Sequence, residues 1–304
     1  MSLLGMFKGK GSTGFGFNSS AEEVTEGLDL SGKTYLLTGC NSGIGAETLR
    51  VLALRGATVI GAARTDAKAE AAVSSHRGAL PVACELSEPD SVRACVEAVK
   101  ALNKPLDGII ANAGIMALPE RTVHHGYELQ FLTNHIGHWI LVTGLLDQLT
   151  DDGRVVMLSS EAHRWTVRGG IDFDNLDASK SYDGWKFYGQ SKLANLLTAK
   201  ELARRFEGTQ KTANAVHPGV IVTNLGRHMG RGMNAAWAAL GPLLFTKTIP
   251  QGAATQVYVA ASPSMAESGQ YWEDCNVGKP TRHGRDEALA SRLWEETERI
   301  VAGL

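Results

Sequence analysis

Short apolar runs of strand length recur along the chain: TYLLT (34–38), ATVIGAA (57–63), ALPVA (79–83), DGIIAN (107–112), RVVMLS (154–159) and TANAVH (212–217). Between them lie stretches such as ETLRVLALRG and DSVRACVEAVKAL, whose apolar residues return every three or four positions, the period of a helix with one buried face. DEALASRLWEETERIV, near the end, repeats that pattern. Strands alternating with helices predict right-handed crossovers and a parallel sheet covered on both faces. The first thirty or so residues show no sustained periodicity and are rich in Gly, Ser and Glu, so 1–30 is expected to be an arm and 31–304 a single domain.

The first strand runs straight into TGCNSGIG, with Gly39, Gly43 and Gly45 opening a helix. Glycines there permit positive φ and let backbone approach a pyrophosphate, whose charge then sits at the helix N-terminus. The spacing G-x-x-x-G-x-G differs from the dinucleotide fingerprint G-x-G-x-x-G, but its place between strand and helix is the same. The expected fold is therefore α/β: a Rossmann-type, doubly wound parallel sheet of about seven strands. At the end of the second strand Ala63 stands where an acid would hold a ribose diol, and Arg64 follows, which favours the 2′-phosphate of NADP(H). Glu85 and Leu86, after the third strand, are placed at the adenine edge; Asn112, Ala113 and Gly114, after the fourth, let backbone pass close to the cofactor.

Hydrophobic residues at 43% and charged residues at 20% describe a soluble globular protein, and a formal charge of −2 supplies no general attraction to nucleic acid or anionic membrane. Four scattered cysteines without a C-x-x-C pair point to reduced thiols and a cytoplasmic location. Cys40, inside the glycine turn, reads as a small packing residue rather than a redox switch. Neither the start of the chain nor MNAAWAALGPLLF (233–245), which is short and broken by Gly-Pro, predicts a membrane span; a peripheral contact by the latter stays open.

Tyr188 and Lys192 lie four apart, on one helical face. Alone, such a pair fits a half-buried surface as well as a proton donor and its helper. In order along the chain, however, TGCNSGIG, NAG, Asn134 in LTNHIGHW, the serines of MLSSEAHR, Y-x-x-x-K and HPG at 217–219 resemble the short-chain dehydrogenases/reductases over about residues 30 to 300. SSEAHR, FYGQSKLANLL, ELARR, VHPGVIVTNL and SGQYWEDC are most similar to the retinol dehydrogenase branch, with the WW-domain oxidoreductase and light-dependent protochlorophyllide reductase near it.

That resemblance implies a carbonyl–alcohol oxidoreductase. Tyr188 would exchange the proton with the substrate oxygen, and Lys192 would favour its phenolate and bond the nicotinamide ribose. Ser160 would donate to the substrate oxygen, with Ser159 structural, and Asn134 would position a water and the lysine in a relay. Asn41, Ser42, Ile44, Pro218, Gly219, Val220 and Thr223 would join the cofactor site, and a substrate loop would run from about 223 to 248. A hydrophobic small molecule, retinoid-like, lipid-like or a secondary-metabolite aldehyde or ketone, is the implied substrate, and a dimer or tetramer the implied assembly. The 188 − 160 = 28 positions between Ser160 and Tyr188 exceed the usual spacing, and the insertion is expected to rim the site. Other readings are a nucleotide-sensing module without turnover and a light-driven ring reductase. Nine histidines include His124-His125 and the pair His135 and His138, but the sequence shows no third ligand, so no metal is expected. Trp165, Trp185 and Trp237 are candidates for an apolar pocket.

Overall fold

The computed structural model describes residues 8–221 and 246–304. Thr223, Trp237, Met233–Phe245 and most of the expected substrate loop lie outside the described residues. In chain order come β1 (Thr34–Thr38), α1 (Gly43–Leu54), β2 (Thr58–Ala63), α2 (Asp66–Val73), β3 (Leu80–Ala83), α3 (Pro89–Ala101) and β4 (Leu106–Ala111). A hairpin of β5 (Val123–His124) and β6 (Tyr127–Glu128) leads into α4 (Leu129–Phe131), a π-helical turn (Leu132–Ile136) and α5 (Gly137–Gly144). Then follow β7 (Leu149–Leu158), α6 (Gly184–Arg205), β8 (Thr212–His217), α7 (Ile249–Ala261), β9 (Tyr271–Glu273), β10 (Asn276–Val277) and α8 (Glu287–Ala302).

The main sheet has eight strands in the order β3-β2-β1-β4-β7-β8-β9-β10. Seven pair in parallel, and β10 adds an antiparallel edge by turning back on β9. The expected sheet of about seven strands is thus present with that edge added. Successive residues face opposite sides: Leu36, Ile60, Ile109 and Val155 enter one core, Leu37, Val59, Ile110 and Val156 the other. Burial on both faces explains why these strands read as continuous apolar runs. Helices α3, α5, α6 and α8 cover the first face; α1 and α7 cover the second, joined by Ala21, Val24 and Leu30 of the arm.

Strand order reverses between β1 and β4, so their carboxyl ends, at Gly39 and Asn112, open a crevice. Two of the long helices near it are held at their starts by side chains. Asp183 accepts hydrogen bonds from Trp185 N and Lys186 N at the head of α6, and Thr248 with Gln251 forms a capping box on α7.

Candidate active site

The turn between β1 and α1 is built by close approach. Gly39 and Gly43 have φ of 69° and 56°, and a Cβ on Gly45 would lie 2.0 Å from the Gly39 carbonyl oxygen and 2.7 Å from Asn112 Nδ2. Ser42, at the N-cap of α1, makes no side-chain cap bond, and Asn41 and Ser42 are exposed while Ile44 is half-buried. The first amides of α1 therefore face the crevice mouth as donors for an anion. Cys40 is fully buried, and burial pushes its thiol up to about 11, in keeping with a packing residue.

Thr38, the last residue of β1, ties the turn to the next strand end. Its hydroxyl accepts from Asn112 N (2.9 Å) and Ala113 N (3.0 Å), and its carbonyl accepts from Asn112 Nδ2 (2.8 Å). With both acceptor sites taken, the hydroxyl proton goes to His138 Nε2, 2.9 Å away. His138 Nδ1–H then donates to the Asn134 carbonyl (2.9 Å), which assigns the neutral tautomer; burial, with the Asn134 bond opposing and the Lys192 charge adding, pulls its pKa down to about 4. His138 is thus a buried strut rather than a metal ligand. His135 bonds Thr297 Oγ1 instead (2.9 Å), so the two histidines do not converge.

Asn134 sits in the π-helical turn, a distortion common at functional sites. Its side chain bonds three groups: Oδ1 accepts from Ile115 N (2.8 Å), and Nδ2 donates to Ile115 O and Ser191 Oγ (both 2.9 Å). It clamps the segment after β4 to α6. Gly114 permits the meeting, since a Cβ there would come within 3.0 Å of Asn134 Oδ1 and 3.4 Å of Lys192 Nζ.

Tyr188 and Lys192 occupy the first turns of α6, both buried, with Nζ 5.8 Å from the phenol ring centroid. Lys192 Nζ donates to the carbonyl of Leu158, the last residue of β7 (2.9 Å). Burial pushes the Tyr188 phenol up to about 12, opposed by a hydrogen bond with the Ser160 side chain, and pulls the lysine down to about 7. In this state burial favours the neutral form of each group. A protonated phenol beside an amine that titrates near neutrality suits proton delivery to a carbonyl.

Ser159 and Ser160 differ in burial and partners. Ser159 Oγ donates to the Lys192 carbonyl (2.8 Å) and is buried, while Ser160 is half-buried and its Oγ accepts from Ala162 N (3.2 Å). His163, not singled out in the sequence, fixes Ser160 by donating from Nδ1 to its carbonyl (2.7 Å), while its Nε2 accepts from Thr281 N (3.2 Å). Trp165, 56% exposed, packs edge-on against Trp185 (centroids 6.0 Å), which packs against Tyr188 (6.3 Å), so aromatic rings lead from the surface to the phenol.

Among the remaining sequence candidates, Arg64 is exposed at the end of β2 and makes no ion pair with any described residue. Glu85 accepts from Ser87 N and Oγ through Oε1, and Leu86 is buried, its carbonyl against Gly137. Pro218 is buried, Val220 is exposed, and Gly219 has φ 92° where a Cβ would strike Lys247 Cδ at 2.6 Å. Lys247 itself is buried, with Nζ 2.7 Å from Asp274 Oδ1 and 5.1 Å from the Phe17 ring centroid, and nothing in the sequence pattern marks it.

Residues 33–173 match the family model for short chain dehydrogenases. Over the whole of both chains the protein is 43% identical to short-chain dehydrogenase TIC 32 A, chloroplastic, of Brassica napus. It is 39% identical to human retinol dehydrogenase 13, over 90% of this chain and 85% of that one. Among solved structures, an uncharacterized protein from Mycobacterium paratuberculosis superposes with a TM-score of 0.75 at 33% identity, covering 92% of this chain and 97% of that one. A blue fluorescent protein from a metagenomic library, in complex with NADPH, superposes with a TM-score of 0.65 at 25% identity, covering 80% and 96%. The fold and these likenesses place the chain in the short-chain dehydrogenase/reductase family, oxidoreductases that act on CH–OH and C=O groups. Within it the chain belongs to the retinol dehydrogenase-like branch.

Proposed function

We propose that the protein interconverts a carbonyl and an alcohol on an apolar small molecule with NADP(H), Tyr188 passing the proton. The observation that carries this reading is the meeting, at the ends of β4 and β7, of a buried phenol and the buried Lys192 amine, with Ser160 two residues past the Leu158 carbonyl that holds the amine. Three features fit the cofactor: the open N-terminus of α1, the Cβ-intolerant Gly45 and the unpaired, exposed Arg64. The α1 amides would hold the pyrophosphate, Arg64 the 2′-phosphate and Lys192 the ribose hydroxyls, and the bound cofactor supplies or accepts a hydride. The NADPH bound by the metagenomic relative supports the same choice.

Ser160 and Tyr188 would both donate to the substrate oxygen, sharing the charge that grows there. During reduction Tyr188 gives up its proton, and Lys192 steadies the phenolate and, titrating near neutrality, hands a proton back. Trp165 and Trp185 offer an apolar wall at the mouth, which favours extended apolar substrates such as retinoid-like or lipid aldehydes. Four buried free cysteines suit a reducing compartment such as the cytoplasm. Among the described residues no helix is long and apolar enough to cross a membrane; a dimer or tetramer and a peripheral membrane contact belong to the same proposal without being needed for the chemistry.

The test is NADPH absorbance against a panel of aldehydes and ketones of graded apolar size. Turnover is expected to improve with apolar length and to favour NADPH over NADH. Arg64→Ala should weaken NADPH by about tenfold to a hundredfold while leaving NADH alone, the worth of one charge-assisted contact. Binding of NADPH without consumption across the panel would leave a sensing module instead.

A further inference from the structure

The β5–β6 hairpin reverses at two adjacent histidines. Neighbours on a strand point to opposite sides, but His125 has φ 49° and Gly126 φ 83°, and the left-handed turn brings the two rings together. Their centroids lie 4.4 Å apart, tilted by 39°. Left-handed backbone at a residue other than glycine is uncommon, and here it converges two ligand-bearing rings.

Across from them stands Glu88, the N-cap residue of α3. Its side chain makes no cap bond, although a carboxylate is favoured there. It reaches to the hairpin instead: Oε2 lies 2.9 Å from His125 Nε2 and Oε1 3.5 Å from His124 Nε2. One ligand atom from each of the three residues falls within 4.8 Å of the others, and this is the one such group of His, Cys, Asp and Glu among the described residues. A tetrahedral ion with bonds of about 2.0–2.2 Å would need only a small adjustment of these side chains.

We infer that Glu88, His124 and His125 form a surface binding site for a zinc-class divalent ion. Two imidazole nitrogens and a carboxylate match zinc and its first-row neighbours, whereas magnesium and calcium seek oxygen ligands alone. Both histidines are exposed and Glu88 is half-buried, so water completes the shell. A bound ion would staple the start of α3 to the hairpin that leads into α4 and the Asn134 turn. On the other side of Glu88 lie Glu85 and Leu86, at the expected adenine edge. The sequence pattern could not reveal this set, because the third ligand is 124 − 88 = 36 positions from the histidine pair.

The test is calorimetric titration of ZnCl2 into tag-free, chelator-stripped protein of full length. One saturable site of micromolar affinity is expected, together with a rise in melting temperature. Glu88→Gln and His124→Ala should each weaken binding by at least about tenfold, since even outer-shell losses have that effect. His76→Ala, at a half-buried histidine elsewhere, should leave it unchanged. Should a variant fold poorly, visible absorbance of the Co2+-loaded wild type reports the same ligands, a nitrogen-oxygen set without thiolate. Absence of saturable Zn2+ binding in the micromolar range, or affinity unaltered in Glu88→Gln, would overturn the inference.

Discussion

Tyr188 and Lys192 work against their own burial. A free phenol titrates near ~10 and a free lysine near ~10.4, yet here the first is pushed up to about 12 and the second down to about 7, each toward its neutral form. Carbonyl reduction needs the phenol protonated, and it stays so through neutral pH; alcohol oxidation needs the phenolate, which the raised pKa withholds. Reduction should therefore decline as pH rises through about 7, where Lys192 loses the proton it hands back, while oxidation climbs toward alkaline pH at up to about tenfold per unit. Steady-state kcat/KM in both directions checks this, and an oxidation profile that is flat or falls with pH contradicts it. The Y-x-x-x-K spacing and the serine pair were legible in the sequence. Roles that depend on distant partners were not: Thr38 lies 100 positions from His138, and His163 lies 118 from Thr281. Asn134 was found, but its amide grips Ile115 and Ser191, a role set by where two segments cross.

The crevice depends on elements passing closer than side chains allow. Gly45 lets α1 rest on the end of β1, and Gly137 lets α5 rest on the loop after β3, where a Cβ would lie 2.2 Å from the Leu86 carbonyl oxygen. Gly45→Ala must push α1 away from Gly39 and Asn112. It is expected to cost about 1–3 kcal/mol of stability and to weaken NADPH more than tenfold, read by denaturant melts and fluorescence titration. Periodicity located the central strands to within a residue, because both their faces are buried, except that β7 starts at Leu149, five residues before the expected run at 154–159. It overlooked β9, whose YWE is only three residues, and β10, which has only two. It overlooked the β5–β6 hairpin too, whose burial is slight. The π-helical turn has the same apolar spacing as its flanks and left no mark.

Taken together, the two cores hold several histidines neutral. Burial pulls His135 down to about 3 and His138 to about 4, and lowers His163 as well. In the unfolded chain each would bind a proton near pH ~6.5, so their stabilising effect is intact above that value and lost as pH falls. His135 and His138 should each remove about 1.4 kcal/mol per pH unit between about pH 6 and their lowered values. Urea unfolding at stepped pH should show the slope, and His135→Gln should make it shallower by one such share; an unchanged slope would mean that His135 is not held neutral. The doubly wound topology followed from strand and helix alternation, which chain connectivity restricts to few arrangements. The arm could be read only as lacking period, yet Phe17, Ala21, Val24 and Leu30 are buried, and Phe17 lies between Lys8 and Lys247.

The most direct measurement is NADPH-dependent turnover of an apolar aldehyde by wild type and Tyr188→Phe, with NADPH affinity measured on both. Loss of the phenolic proton should lower kcat by about 10²–10⁴-fold and leave NADPH affinity within about twofold, because the ring and its packing stay. Turnover at the wild-type rate in Tyr188→Phe would contradict the assignment of this phenol as the proton donor.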